Sequence, residues 1–175
     1  MYFPLFLDLS QKEILVVGAG KIASRRIRAL CGFAGHVTVV ALQIPAEFGQ
    51  RIGRNGQETR ESVTDAGTVE IAGTRITVLE RGFAEADLNQ KDFVLAATSD
   101  AQLNARIGTL CQARGIPVNV CSDAKCCDFQ FPSIVEDGTV VIGINASGED
   151  HRLVKETRRR IEMLFDSAEF RSRYE

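Results

Sequence analysis

The chain has 175 residues, of which 45% are hydrophobic and 25% charged, with a formal net charge of -2. That length and composition suit one soluble globular domain with a small appendage, and supply enough apolar material for one sizeable core. They exclude the basic excess of a nucleic-acid binder, and no segment approaches the roughly 20 apolar residues of a membrane span.

The opening, Met1 to Leu9, is apolar but lacks a basic region, and Pro4 and Asp8 bound too short a run for a signal peptide. Glu13 to Val17 (EILVV) ends at a glycine and predicts a buried parallel strand. Ile22, Ala23, Ile27, Leu30 and Cys31 then recur at helical spacing. After Gly32 and Gly35, Val37 to Ala41 (VTVVA) predicts a second strand, completing a strand–helix–strand unit of the size expected for βαβ.

Pro45 predicts the start of a helix running to about Ile52. Gly53 to Gly73 reads as a polar loop or insertion, with a strand near Val69 to Ile71. Arg75 to Leu79 (RITVL) and Asp92 to Ala97 (DFVLAA) predict further strands. Asp100 caps a helix whose inner face is Leu103, Ile107, Leu110 and Cys111; Gly115 ends it, and Pro117 to Val120 resumes as a strand. Strand and helix thus alternate over residues 1–120, which implies a parallel sheet covered on both faces.

Residues 121–175 differ in character. Ser122 to Asp128 is a polar loop rich in cysteine. Phe129 to Val135 and Thr139 to Ile144 predict two strands around a Glu136-Asp137-Gly138 turn, and Leu153, Val154, Ile161, Leu164 and Phe165 outline an amphipathic helix. The expected fold is α/β, a Rossmann-type parallel sheet with a small C-terminal β/α segment. That segment is too small to bury its own core, which predicts packing on the first domain or on a second copy in a homodimer. Five cysteines, an odd number without disulfide spacing, suggest a reducing, cytoplasmic setting.

The strongest motif is Gly18-Ala19-Gly20-Lys21-Ile22-Ala23, a G-x-G-x-x-G/A between strand and helix. Its first glycine permits a tight turn, the second lets backbone approach a pyrophosphate, and Ala23 allows close helix–strand packing. The acid that usually ends the second strand is absent. Ala41, Leu42 and Gln43 stand there, with no arginine for a 2′-phosphate, so these residues leave NAD against NADP open.

Other candidates carry less. Cys126 and Cys127 are adjacent and so poor chelators of one ion, and with no C-x-x-C or H-x-x-x-H spacing no structural metal is expected. His36, in a loop before a strand, reads as exposed, and Arg158-Arg159-Arg160 reads as a solvated helix face.

Several segments taken together resemble the precorrin-2 dehydrogenase and sirohydrochlorin ferrochelatase family, including the N-terminal module of siroheme synthase. They are YFPLFLDL (Tyr2 to Leu9), ILVVGAGKIASRR (Ile14 to Arg26), VTVVA, LAATSDAQLN (Leu95 to Asn104), PVNV and FQFPSIV (Phe129 to Val135). The resemblance implies NAD-dependent oxidation of precorrin-2 to sirohydrochlorin, with iron insertion in some members. It also implies a homodimer built through the segment after the Rossmann domain, with a tetrapyrrole cleft between the parts.

It implies NAD contacts at Gly18, Gly20, Lys21, Ile22, Leu42, Gln43, Ala97 and Thr98. A substrate bearing many carboxylates would call on Arg25, Arg152 and Arg158 to Arg160. The implied tetrapyrrole cleft makes Cys127, Asp128 and His151 candidates for a transient iron contact or for deprotonating pyrrole nitrogens. The family's catalytic aspartate in N-V-x-D falls on Ser122 here, with Asp123 one residue late, and its G-x-S-P turn reads Gly148-Glu149-Asp150-His151. The expected proton-handling group is Asp123, because an unassisted serine hydroxyl is a poor base. The alternative is a non-catalytic NAD- or tetrapyrrole-binding relative.

Overall fold

The computed structural model describes residues 2–53 and 67–166. They form two compact units, residues 7–130 and residues 131–166 with residues 2–6. The larger unit holds a six-stranded sheet in the order β3-β4-β2-β1-β5-β6. Its strands are β1 (Glu13–Val17), β2 (His36–Ala41), β3 (Thr68–Ile71), β4 (Thr74–Glu80), β5 (Phe93–Ala96) and β6 (Val118–Val120). All neighbours are parallel except β3 and β4, an antiparallel hairpin at one edge.

β1 is central because its sequence does not alternate. Ile14, Leu15, Val16 and Val17 are all essentially buried, which requires cover on both faces. Leu15 and Val17 join Val40, Val94, Ile107 and Cys111 in one cluster. Ile14 and Val16 point to the opposite face by the strand's twofold period. Burying a side chain of this size contributes roughly 1.5–3 kcal/mol.

Three helices belong to this unit: α1 (Lys21–Leu30), the short α2 (Phe48–Ile52) and α3 (Ala101–Ala113). α1 buries Ala23, Ser24, Ile27 and Leu30. Asp100 caps α3 by accepting from the backbone N–H of Gln102 and Leu103. Gly115, at φ 67°, follows its C-terminus.

The strand expected near Val69 to Ile71 is β3, and the rest of the expected polar insertion, residues 54–66, lies outside the described residues. α2 starts at Phe48 rather than Pro45, because the Pro45 carbonyl is taken by the Phe48 N–H in a preceding turn. His36 is not a free loop residue. It opens β2, with Nδ1 2.9 Å from the Glu13 carboxylate and Nε2 3.0 Å from Thr77 Oγ1. The parallel register of β1 and β2, which pairs Glu13 with His36, brings them together.

The smaller unit contains the hairpin of β7 (Ser133–Asp137) and β8 (Val140–Ile144), with α4 (His151–Phe165) packed on both strands. β7 begins later than expected because Phe129 is occupied elsewhere: its carbonyl accepts from Asn119 Nδ2 at 2.8 Å and its ring meets Phe93 edge-on. The turn is Gly138-Thr139, since Glu136 and Asp137 pair with Val141 and Val140; Gly138 takes φ 56°, as a two-residue connection demands. No residue of α4 is buried, and Leu153, Met163 and Leu164 are exposed. Among the described residues no helix is long and apolar enough to cross a membrane.

Candidate functional site

The chain runs from β1 through α1 to β2 on one side, and returns through β5 to the other side of β1. In sheets of this kind the crevice at such a reversal, outside the carboxyl ends of the strands, is where ligands bind. Gly18 follows β1 there and Ala97 follows β5. Gly18 has φ 113°, and a Cβ on it would stand 2.4 Å from the Ala97 carbonyl oxygen, so only glycine fits. A Cβ on Gly20 would meet nothing within 4 Å. The space before Gly20 is open, as a turn meant for close approach by a ligand requires.

The cap of α1 carries the same message. Asp100 and Asp150 bond the first N–H groups of α3 and α4 with their side chains. α1 is capped by Gly20, with no side-chain hydrogen bond and no acid in its first turn. Its leading N–H groups and the positive end of its dipole remain for an anion. Ala23, fully buried, packs beneath the turn, and the Ser24 hydroxyl donates to the Gly20 carbonyl at 3.0 Å, holding the turn against the helix. Lys21 and Gln43 are exposed at the same edge, and so are two apolar side chains, Ile22 and Leu42. Solvent-facing Ile and Leu beside an open glycine turn suit the flat face of a nucleobase better than water. The residues present therefore fit a dinucleotide.

Thr98 is held by a residue to which the sequence alone assigns no role. Asn104, buried on α3, accepts from both the N–H and the hydroxyl of Thr98, at 3.1 and 2.7 Å. Its Nδ2 donates to the Thr98 carbonyl at 3.0 Å and to Ser122 Oγ at 3.3 Å. One amide thus ties the loop after β5 to the loop after β6. The available signal was a polar residue one turn beyond the Asp100 cap, on a face otherwise apolar.

Ser122 and Asp123 part company here. Ser122 faces Asn104. Asp123 caps the 3-10 turn Ala124–Cys126, accepting from the Lys125 N–H at 2.9 Å and from Cys126 Sγ at 3.4 Å.

The thiols of the loop are structural neighbours of one another rather than thiolates. Burial pushes Cys121 up, and the Arg26 guanidinium only partly pulls it back. The hydrogen bond to Asp123 raises Cys126, and burial raises Cys127. Cys127 and Asp128 are both spent on β6: Cys127 Sγ accepts from the Val120 N–H at 3.2 Å, and the Asp128 carboxylate accepts from the Val118 N–H at 2.9 Å. His151 opens α4 in solvent. Among the described residues no group of three or more His, Cys, Asp or Glu could hold a metal ion. Arg158 and Arg160 form ion pairs with Glu162 and Glu156 one turn away, as a solvated helix face does.

A six-stranded, mainly parallel sheet with an open glycine turn at its strand reversal defines a nucleotide-binding fold of the Rossmann type. The chain belongs to the putative NAD(P)-binding family, whose model matches residues 5–133. It is 33% identical over 162 residues to the siroheme synthase of Psychrobacter sp. (strain PRwf-1), covering 93% of this chain and 29% of that protein. To the siroheme synthase of Ectopseudomonas mendocina (strain ymp) it is 32% identical over 161 residues, covering 92% and 30%. The chain thus spans about three tenths of the length of these relatives. Among solved structures, SirC, precorrin-2 dehydrogenase, shares the fold at TM-score 0.68 and 24% identity, covering 97% of this chain and 74% of that one.

Proposed function

We propose that the protein is an NAD-dependent dehydrogenase that converts precorrin-2 to sirohydrochlorin, a role in making siroheme. The observation that carries this reading is the open Gly18–Gly20 turn with a start of α1 that no side chain caps, in a chain similar to siroheme synthases over most of its length. Bound NAD would supply the hydride acceptor. Gly18, Gly20 and the first N–H groups of α1 would hold its pyrophosphate, while Lys21, Ile22, Leu42 and Gln43 would line the adenosine end. Ala23 packs the helix close beneath the turn. Ala97 and Thr98, fixed by Asn104, would wall the nicotinamide end. Asp123 is the carboxylate proposed to take the proton that leaves the substrate with the hydride. A homodimer through the smaller unit, and iron insertion into the product, are further parts of this proposal.

A second reading, a dinucleotide- or tetrapyrrole-binding relative without the reaction, is favoured by one observation. Asp123 already caps its own turn, and it is Ser122 that bonds Asn104, the amide that holds Thr98. Anaerobic NADH production from precorrin-2 separates the two. The dehydrogenase reading expects turnover by wild type, a loss of roughly 10²–10⁴-fold in Asp123→Asn and little change in Ser122→Ala. A silent wild type that gains turnover in Ser122→Asp supports the second reading.

A further inference from the structure

The tip of β2 lacks the acid that selects a free ribose diol in this fold, yet a carboxylate reaches that tip from the next strand. Glu80 ends β4 and is the register partner of Ala41, the last residue of β2. Its Oε1 accepts from the Ile44 N–H at 3.1 Å, which draws the carboxylate across onto the turn formed by Leu42, Gln43 and Ile44. The two tips are in contact range, since a Cβ on Gly82 would lie 3.6 Å from Leu42 Cδ2. We propose that Glu80, acting from β4, makes the site prefer NAD over NADP; the proposal rests on the dinucleotide reading of the glycine turn.

The chemistry is that of the missing acid. A carboxylate fixed by one oxygen keeps the other for a hydrogen bond, and among the described residues Oε2 has no partner. A ribose 2′-hydroxyl would donate to it. A 2′-phosphate, carrying up to two negative charges, would meet a like charge instead, which costs affinity.

The neighbouring cation does not offset this. Arg81 forms a two-pronged pair with Asp87, at 2.6 and 2.9 Å, and also donates to the Gly82 carbonyl. Its fork is therefore turned to Asp87 rather than left for phosphate.

Titration calorimetry of the full chain with NAD and with NADP tests the inference on wild type, Glu80→Gln and Glu80→Ala. Glutamine keeps an acceptor for the Ile44 N–H and removes only the charge. Wild type is expected to favour NAD by about tenfold or more, and both variants to lose most of that preference through tighter NADP binding. An unchanged ratio in both variants, or an equal loss of both ligands, overturns the role of Glu80 while leaving the dinucleotide site standing. Absence of binding of either dinucleotide to folded wild type overturns the site and the inference together.

Discussion

The two ends of the larger sheet are built on opposite plans. At the amino end the charges are already answered by one another. Glu13 takes His36 and Lys91, Lys91 also donates to Thr38, and Lys12 pairs with Asp92, whose other oxygen accepts the Glu13 N–H. At the carboxyl end the start of α1 is bare: a glycine cap, first-turn N–H groups that no side chain bonds, and two apolar side chains in solvent. A self-satisfied end holds the strands in register. An unsatisfied end holds binding energy in reserve for something that is not protein. Mutations should therefore separate stability from binding according to which end they touch.

The sharpest test lies within the glycine motif. Gly18→Ala is expected to cost about 2–4 kcal/mol in urea unfolding, because the new methyl would press on Ala97 in a backbone conformation that alanine resists. Gly20→Val should leave the fold cooperative and the unfolding midpoint close to wild type, yet abolish calorimetric NAD binding. Equal effects of the two variants on stability would break the distinction between a glycine kept for the fold and one kept for a ligand.

Next in size is Lys91→Met at the other end. It removes the shared partner of Glu13 and Thr38 and should cost about 1 kcal/mol or less, since Glu13 is 40% exposed and solvent screens the pair. NAD affinity should not change; a changed affinity would mean that the two ends are not independent.

The smallest effect is one of pH. Burial would push the Glu13 carboxyl up, but hydrogen bonds from Lys91 and His36 outweigh it and hold the group below its ordinary 4.5. The backbone N–H of Glu13 and the Lys12 ammonium hold Asp92 below its ordinary 3.8. A carboxyl lowered in the folded state adds stability that is complete above its unfolded value and is lost as pH falls through the folded one. Unfolding midpoints should therefore fall as pH drops below about 4.5, less steeply in Lys91→Met.

Much of this contrast was legible in the sequence, and the boundary is physical. The open end is local: Gly18 to Ala23 lie within six residues between a strand and a helix, and Asp100 caps α3 two residues after Thr98. The closed end is not local. Glu13, His36, Thr77 and Lys91 are scattered over nearly eighty positions, so His36 read as exposed until the strand register placed it. Glu80 and Asn104 were missed for the same reason. Each acts across a strand or helix boundary, and no periodicity records which residue lies opposite which.

One feature of β6 reaches further than the site. As an edge strand it presents four outward backbone groups, the N–H and carbonyl of Val118 and of Val120, and the following loop bonds all four. The Asp128 carboxylate and N–H take Val118, while Cys127 Sγ and the Asp123 N–H take Val120. An edge so covered offers no template for a strand from another molecule. Aggregation by sheet extension is blocked on that side, by a loop whose acids and thiols look, in the sequence, like chemistry.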